Sequence, residues 1–265
     1  MKKKNCIFII FLSFIMILSG WTGKKPEPIS ETHVSENEQP EHHSNLTVQV
    51  QKPVSFWRLQ QEFPNIVVIR GIGNKIALTF DDGPSAKYTP QILNVLKKYN
   101  VKATFFMMGA KVSKYPYIVK RVAQEGHAIG NHTYWHPNLG KATVEQMKWE
   151  IAETEKALNK IVGIKPKLFR PPFGSLTREQ TIELGKLNLT TVMWSVDSND
   201  WKQLPAEQIK NNVLNHIHPG AVVLFHDGGH WTQDLSGTVE ALELIIPKLQ
   251  EDGFTFVTIP QLFHL

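Results

Sequence analysis

The stretch Lys75-Ile76-Ala77-Leu78-Thr79-Phe80-Asp81-Asp82-Gly83-Pro84 decides the fold: a short apolar run ends in two adjacent carboxylates and a Gly-Pro breaker. Residues 75–80 have the length and apolar density of a buried strand bounded by turn residues. Side chains alternate along a strand, but where the chain turns at its end Asp81 and Asp82 can both face one cleft. Taken alone, two Asp before Gly-Pro describe a solvated turn as well as they describe a site.

Outward from this stretch, short apolar runs alternate with helical patterns from about Ile66 to the C-terminus. Further strands are expected at 103–108, 127–131, 168–170, 190–196, 221–225 and 255–258. Between them, helical spacing runs over 89–99, 116–125 (with Gly126 as a stop), 143–162, 178–187, 206–216 and 239–250. Strands alternating with helices imply parallel pairing and right-handed crossovers. Seven or eight such units predict a small, incomplete α/β barrel, with an open doubly wound sheet as the alternative. The polar residues then fall into place. Asp81 and Asp82, His132, Arg170, Asp197 and His226-Asp227 each follow an expected strand, and strand C-termini are where barrel enzymes gather their chemistry.

His132-Thr133-Tyr134-Trp135-His136 carries two imidazoles four residues apart, a spacing suited to joint metal binding. With Asp82 they form a three-ligand set, one oxygen and two nitrogens. That set suits zinc, and cobalt, nickel or iron are alternatives. Asp81 is left free as a general base, and His226 can supply the complementary acid if a carboxylate raises its pKa. Asp197 is a candidate for that carboxylate, and Arg170 could hold Asp81 ionised and oriented. The bland readings are an N-cap for Asp197 and a surface ion pair for Arg170. His127, at a strand start, reads as structural.

Five motifs occur in order: Thr79-Phe80-Asp81-Asp82-Gly83-Pro84, His132-Thr133-Tyr134-Trp135-His136, Arg170-Pro171-Pro172-Phe173-Gly174, Asp197-Ser198-Asn199-Asp200-Trp201 and Leu224-Phe225-His226-Asp227. On these motifs the chain resembles the polysaccharide deacetylases that share the NodB homology domain, carbohydrate esterase family 4, over about residues 70 to 260. The resemblance implies a distorted (β/α) barrel of about seven parallel strands. It implies Asp82, His132 and His136 as metal ligands, Asp81 as catalytic base tethered by Arg170, and His226 as catalytic acid supported by Asp197. Trp201 and Leu224 correspond to the apolar walls around the acetyl methyl. Phe173 stands where the family often has Tyr; its backbone N–H can serve an oxyanion equally well, but it brings no hydroxyl to a sugar.

The remaining features bound the setting. The chain has 265 residues, an apolar fraction of 42% and a formal net charge of +5, with Lys and Arg scattered, so there is no nucleic-acid footprint. Its single cysteine, Cys6, excludes a disulfide within the chain and a thiolate metal site in the folded part. Lys2, Lys3 and Lys4 precede an apolar stretch at 7–18, the pattern of an export signal. Leu18-Ser19-Gly20-Trp21 resembles a lipoprotein processing box with Trp21 in the cysteine's place, so an uncut residues 1–21 would tether the chain to a membrane. Residues 22–65 read as a disordered linker and lead-in, with His42-His43 a solvated pair, and 66–265 as the catalytic domain. The expected activity is metal-dependent N-deacetylation of an envelope glycan, peptidoglycan first. Chitin oligosaccharides, an O-acetyl esterase and a non-catalytic glycan-binding module are the alternatives. Monomer is the default.

Overall fold

Every pairing between the named strands is parallel, as strand–helix alternation requires. The computed structural model describes residues 52–265. In chain order the elements are α1 (Phe56–Glu62), β1 (Val67–Val68), β2 (Lys75–Gly83), α2 (Tyr88–Lys98), β3 (Thr104–Met107), α3 (Gly109–Lys114), α4 (Pro116–Gln124) and β4 (Ala128–Asn131). There follow α5 (Val144–Val162), β5 (Leu168–Phe169), α6 (Arg178–Lys186), β6 (Thr190–Val192), β7 (Val196–Asp197), α7 (Ala206–Leu214), β8 (Val222–His226), α8 (Ser236–Glu251), β9 (Thr255–Phe256) and α9 (Ile259–Phe263). The sheet runs β1-β6-β5-β4-β3-β2-β8-β7, with β9 added to β2.

The strand that decides the fold is buried along almost its whole length, and its alternation sorts two environments. Ile76, Leu78 and Phe80 face the helices, in a core shared with Ile92, Leu96, Leu242 and Ile245. Phe80 stacks between Phe105 and Phe225, with ring centroids 5.0 and 5.7 Å away. Burying each such ring contributes about 1.5–3 kcal/mol. Ala77 belongs to the opposite face, with Phe106, Leu168, Val192 and Val222. Asp81 follows on that same face by the two-residue period.

The barrel is incompletely closed. The strand path ends at β1 and β7, which do not pair with each other. The single strand expected at 190–196 is therefore two. Met193 N–H donates to Val68 of β1, whereas Ser195 N–H donates to Val222 of β8, so Trp194 crosses the seam between the two ends. No glycine, proline or charged residue within 190–196 marks this break, so the segment reads as one strand.

The folded body also begins earlier than residue 66. Val54 forms an antiparallel bridge with Leu176, Leu59 of α1 is fully buried, and Phe56 packs 5.3 Å from Trp194. Residues 53–65 thus belong to the domain, which corrects the linker reading there. The expected signal or anchor at 1–21 and the linker up to residue 51 lie outside the described residues. Among those described, no helix is long and apolar enough to cross a membrane.

Candidate active site

Asp81 and Asp82 share one cleft because of a β-bulge. Asp81 lies opposite Phe106 and Gly83 opposite Met107, so Asp82 is the extra residue, with φ of 69°. Simple alternation would send its carboxylate toward the helices; the bulge re-aims it. The strand continues through both acids to Gly83, three residues beyond the apolar run.

The loop after β4 brings the two imidazoles to Asp82. Asn131 Oδ1 accepts from Thr133 N–H at 2.9 Å, and Thr133 Oγ1 accepts from His136 N–H at 3.1 Å. Glu150 of α5 accepts from the N–H groups of Tyr134 and Trp135, both at 2.7 Å. Thr133 and His136 take left-handed φ values of 66° and 63°, conformations that cost free energy and persist only where neighbours enforce them. Glu150 went unread in the sequence: an acid in mid-helix normally marks a solvated face, yet here it is buried.

His132 Nδ1 donates to the Arg170 carbonyl at 2.7 Å, which leaves the Nε2 lone pair for the cleft. His132 Nε2 and His136 Nε2 stand 3.3 and 3.1 Å from Asp82 Oδ1. That oxygen is buried and has no hydrogen-bond donor. Ligand atoms from all three residues lie within 4.8 Å of one another. An unsatisfied carboxylate oxygen facing two imidazole lone pairs, one imidazole fixed by a backbone carbonyl, fits a divalent cation.

Asp81 has a different partner. Arg170, fully buried at the end of β5, donates from Nη1 to Asp81 Oδ1 and to Thr79 Oγ1, both at 2.8 Å. Its Nε and Nη2 donate to the carbonyls of Val192 and Met193, and its guanidinium lies 4.2 Å above the Phe106 ring. The surface-pair reading of Arg170 is excluded by this burial.

His226 ends β8 in register with Asp81. Its partner is Asp200, which corrects the expectation of Asp197. Asp200 Oδ1 accepts from Nδ1 at 2.8 Å, while Oδ2 accepts from His226 N–H at 2.8 Å and Thr238 Oγ1 at 2.9 Å. Asp197 instead folds onto the N–H of Asn199 at 2.8 Å, and Asn199, with φ of 56°, turns the chain so that Asp200 passes beneath the imidazole. Burial disfavours the His226 imidazolium, but Asp200 first, then Asp82 and Asp81, outweigh it and push its pKa up to about 10. Asp197 stays in the cleft wall, its carboxyl raised mainly by burial.

These groups line a cleft of about 370 Å³ whose apolar walls are Leu224, Trp201, Phe173, Pro171 and Trp194. Trp194, at the barrel seam, was not foreseen. Phe173 has φ of 58°, its ring lies 4.7 Å from His136, and its N–H donates to no acceptor among the described residues. His127 is structural: its Nδ1 accepts from Ala103 N–H at 3.1 Å, and burial foremost lowers its pKa to about 4.

The family model described as polysaccharide deacetylase matches residues 70–192. A peptidoglycan-N-acetylglucosamine deacetylase of Bacillus cereus is 49% identical over 192 residues, 72% of this chain and 68% of that protein. The chain belongs to the polysaccharide deacetylase family. Another member, the peptidoglycan-N-acetylmuramic acid deacetylase PdaC of Bacillus subtilis, is 38% identical over 71% of this chain and 38% of that protein. Among solved polysaccharide deacetylases, the Bc1960 peptidoglycan N-acetylglucosamine deacetylase superposes with a TM-score of 0.76 at 43% identity, covering 80% of this chain and 98% of that one. The distorted (β/α) barrel of about seven parallel strands expected from the resemblance is here an incompletely closed, nine-stranded parallel sheet, and it matches the fold of this family.

Proposed function

We propose that this polysaccharide deacetylase hydrolyses the N-acetyl groups of peptidoglycan amino sugars, N-acetylglucosamine foremost, releasing acetate and a free amine. The similarity to the Bacillus cereus and Bc1960 enzymes supports the substrate. The observation that carries the chemistry is the bulge at Asp82: it places two carboxylates with different partners in one cleft, opposite a histidine that holds its proton.

Asp82, His132 and His136 would hold a divalent cation, for which we propose zinc. Such an ion supplies a Lewis acid that polarises the acetamide carbonyl and acidifies water. Asp81, kept in place by Arg170, takes the proton from the attacking water. The Phe173 N–H would serve the developing oxyanion. His226, charged and fixed through Nδ1 by Asp200, gives its Nε2 proton to the departing nitrogen, a poor leaving group until protonated. Leu224, Trp201 and Trp194 exclude water around the acetyl methyl. The basic start at Lys2–Lys4 and the apolar run at 7–18 support export to the cell envelope, with a membrane tether if the segment stays uncut.

Peptidoglycan treated with the protein, digested to disaccharides and weighed by mass spectrometry should show acetyl loss from the glucosamine residue. Loss confined to muramic acid would move the sugar, and unchanged masses would remove the activity.

A further inference from the structure

Beside the catalytic cleft lies a second concavity of about 510 Å³, formed by the turn after β2, helix α3 and the β8–α8 connection. Lys87, Lys111, Lys114, Tyr115, His230 and Trp231 are among its lining residues, and Asp234 is the one carboxylate among them. Tyr88 ties this rim together, its hydroxyl accepting from Lys87 Nζ and donating to Asp234, both at 2.9 Å. Trp231 holds its indole in water at 88% exposure, with His230 as its ring neighbour.

The two cavities share a wall. Asp82 turns its carboxylate to the catalytic cleft, whereas its carbonyl accepts from Lys111 Nζ at 2.7 Å; Lys111 also donates to the Gly229 carbonyl at 2.9 Å. On the other flank, Gln233 donates to the carbonyl of Trp201, a cleft wall residue, at 3.1 Å. A polymer with one sugar in the cleft therefore passes beside the concavity.

Lys111 is committed to carbonyls, whereas Lys87 and Lys114 are exposed, Lys87 Nζ donating to the Tyr88 hydroxyl and Lys114 Nζ lying 5.3 Å from the Tyr115 ring centroid. Exposed lysines alone describe a solvated face. Here they border a hollow with aromatic walls and an excess of positive charge, joined to the catalytic cleft through Asp82 and Trp201. In peptidoglycan every second amino sugar carries a short peptide with free carboxylates; chitin carries none. We propose that the concavity is a subsite for the carboxylate-bearing stem peptide, with Lys87 and Lys114 as cationic contacts and Trp231 as apolar wall. The inference rests on the peptidoglycan reading above.

The test uses the metal-loaded full chain and two probes, a peptidoglycan disaccharide-peptide and the same disaccharide with its peptide removed, with binding followed by calorimetry. The peptide-bearing probe should bind about three- to tenfold tighter, the range expected of two partly exposed ion pairs. Lys87→Gln combined with Lys114→Gln should erase the difference, as should raised salt, and should raise KM on peptide-bearing strands without lowering kcat. Equal affinity for the two probes, or a difference that survives the double substitution, overturns the subsite. Acetate release with equal affinities removes the subsite and keeps the deacetylase; peptide-dependent affinity without acetate release keeps the subsite and removes the deacetylase.

Discussion

Asp200 grips His226 twice, with Oδ1 on the ring Nδ1 and Oδ2 on the backbone N–H, each at 2.8 Å. The ring therefore has one orientation, with Nε2 toward the cleft, and its pKa is raised from 6.5 to about 10. A raised value keeps the imidazole of the proposed proton donor charged at neutral pH, and the proton is lost only as pH climbs through about 10. The same shift means the pair stabilises the fold fully below 6.5 and loses that contribution as pH approaches about 10. Asp200→Asn should lower kcat by about two to four powers of ten and move the basic limb of the pH–rate profile to lower pH. Asp197→Asn should leave that limb in place; pH–rate profiles of both variants decide which carboxylate supports the acid.

Arg170 joins the proposed base to a proposed metal ligand: its guanidinium holds Asp81 and its carbonyl holds His132. Replacing it with Met leaves a buried carboxylate without its partner, which should cost about 3–5 kcal/mol of stability as well as activity. Chemical denaturation measures the first effect. Stability within error of the parent would show that the pair is not the anchor described.

Asp81→Asn should retain metal and lose about two to four powers of ten in turnover. His136→Ala should lose metal and turnover together. Equilibrium dialysis with zinc alongside kinetics separates the roles, and an Asp81 variant that no longer binds metal would place Asp81 among the ligands.

Leu59 is fully buried in a helix of seven residues that sequence reading placed outside the domain. Leu59→Ala should destabilise by about 2–5 kcal/mol, and a chain starting at residue 66 should melt lower than one starting at 52. Equal melting temperatures would return residues 53–65 to the linker.

The central strand, the parallel alternation and the His132–His136 pair were legible because each rests on local pattern: an apolar run with a breaker, helical spacing, two imidazoles four residues apart. Helix α1 was not, since one buried Leu in seven residues makes no period. Helix α3, six residues opening on Gly109, is too short to show one either. The break at Trp194 is set by which edge each half of 190–196 meets, and that is a property of the assembled sheet. Asp197 and Asp200 sit in the same motif, and only the left-handed turn at Asn199 decides which reaches His226. Glu150 misleads because its partners are backbone N–H groups of a distant loop, which leave no trace in side-chain pattern.

The most direct measurement is acetate release from purified peptidoglycan by the full chain, before chelation, after it, and after zinc is restored. Release that disappears on chelation and returns with zinc, matched by equal appearance of free amine, is the expected result. Release that persists without metal, or none from metal-loaded protein, contradicts a hydrolytic centre built on Asp82, His132 and His136 with Asp81 as its base.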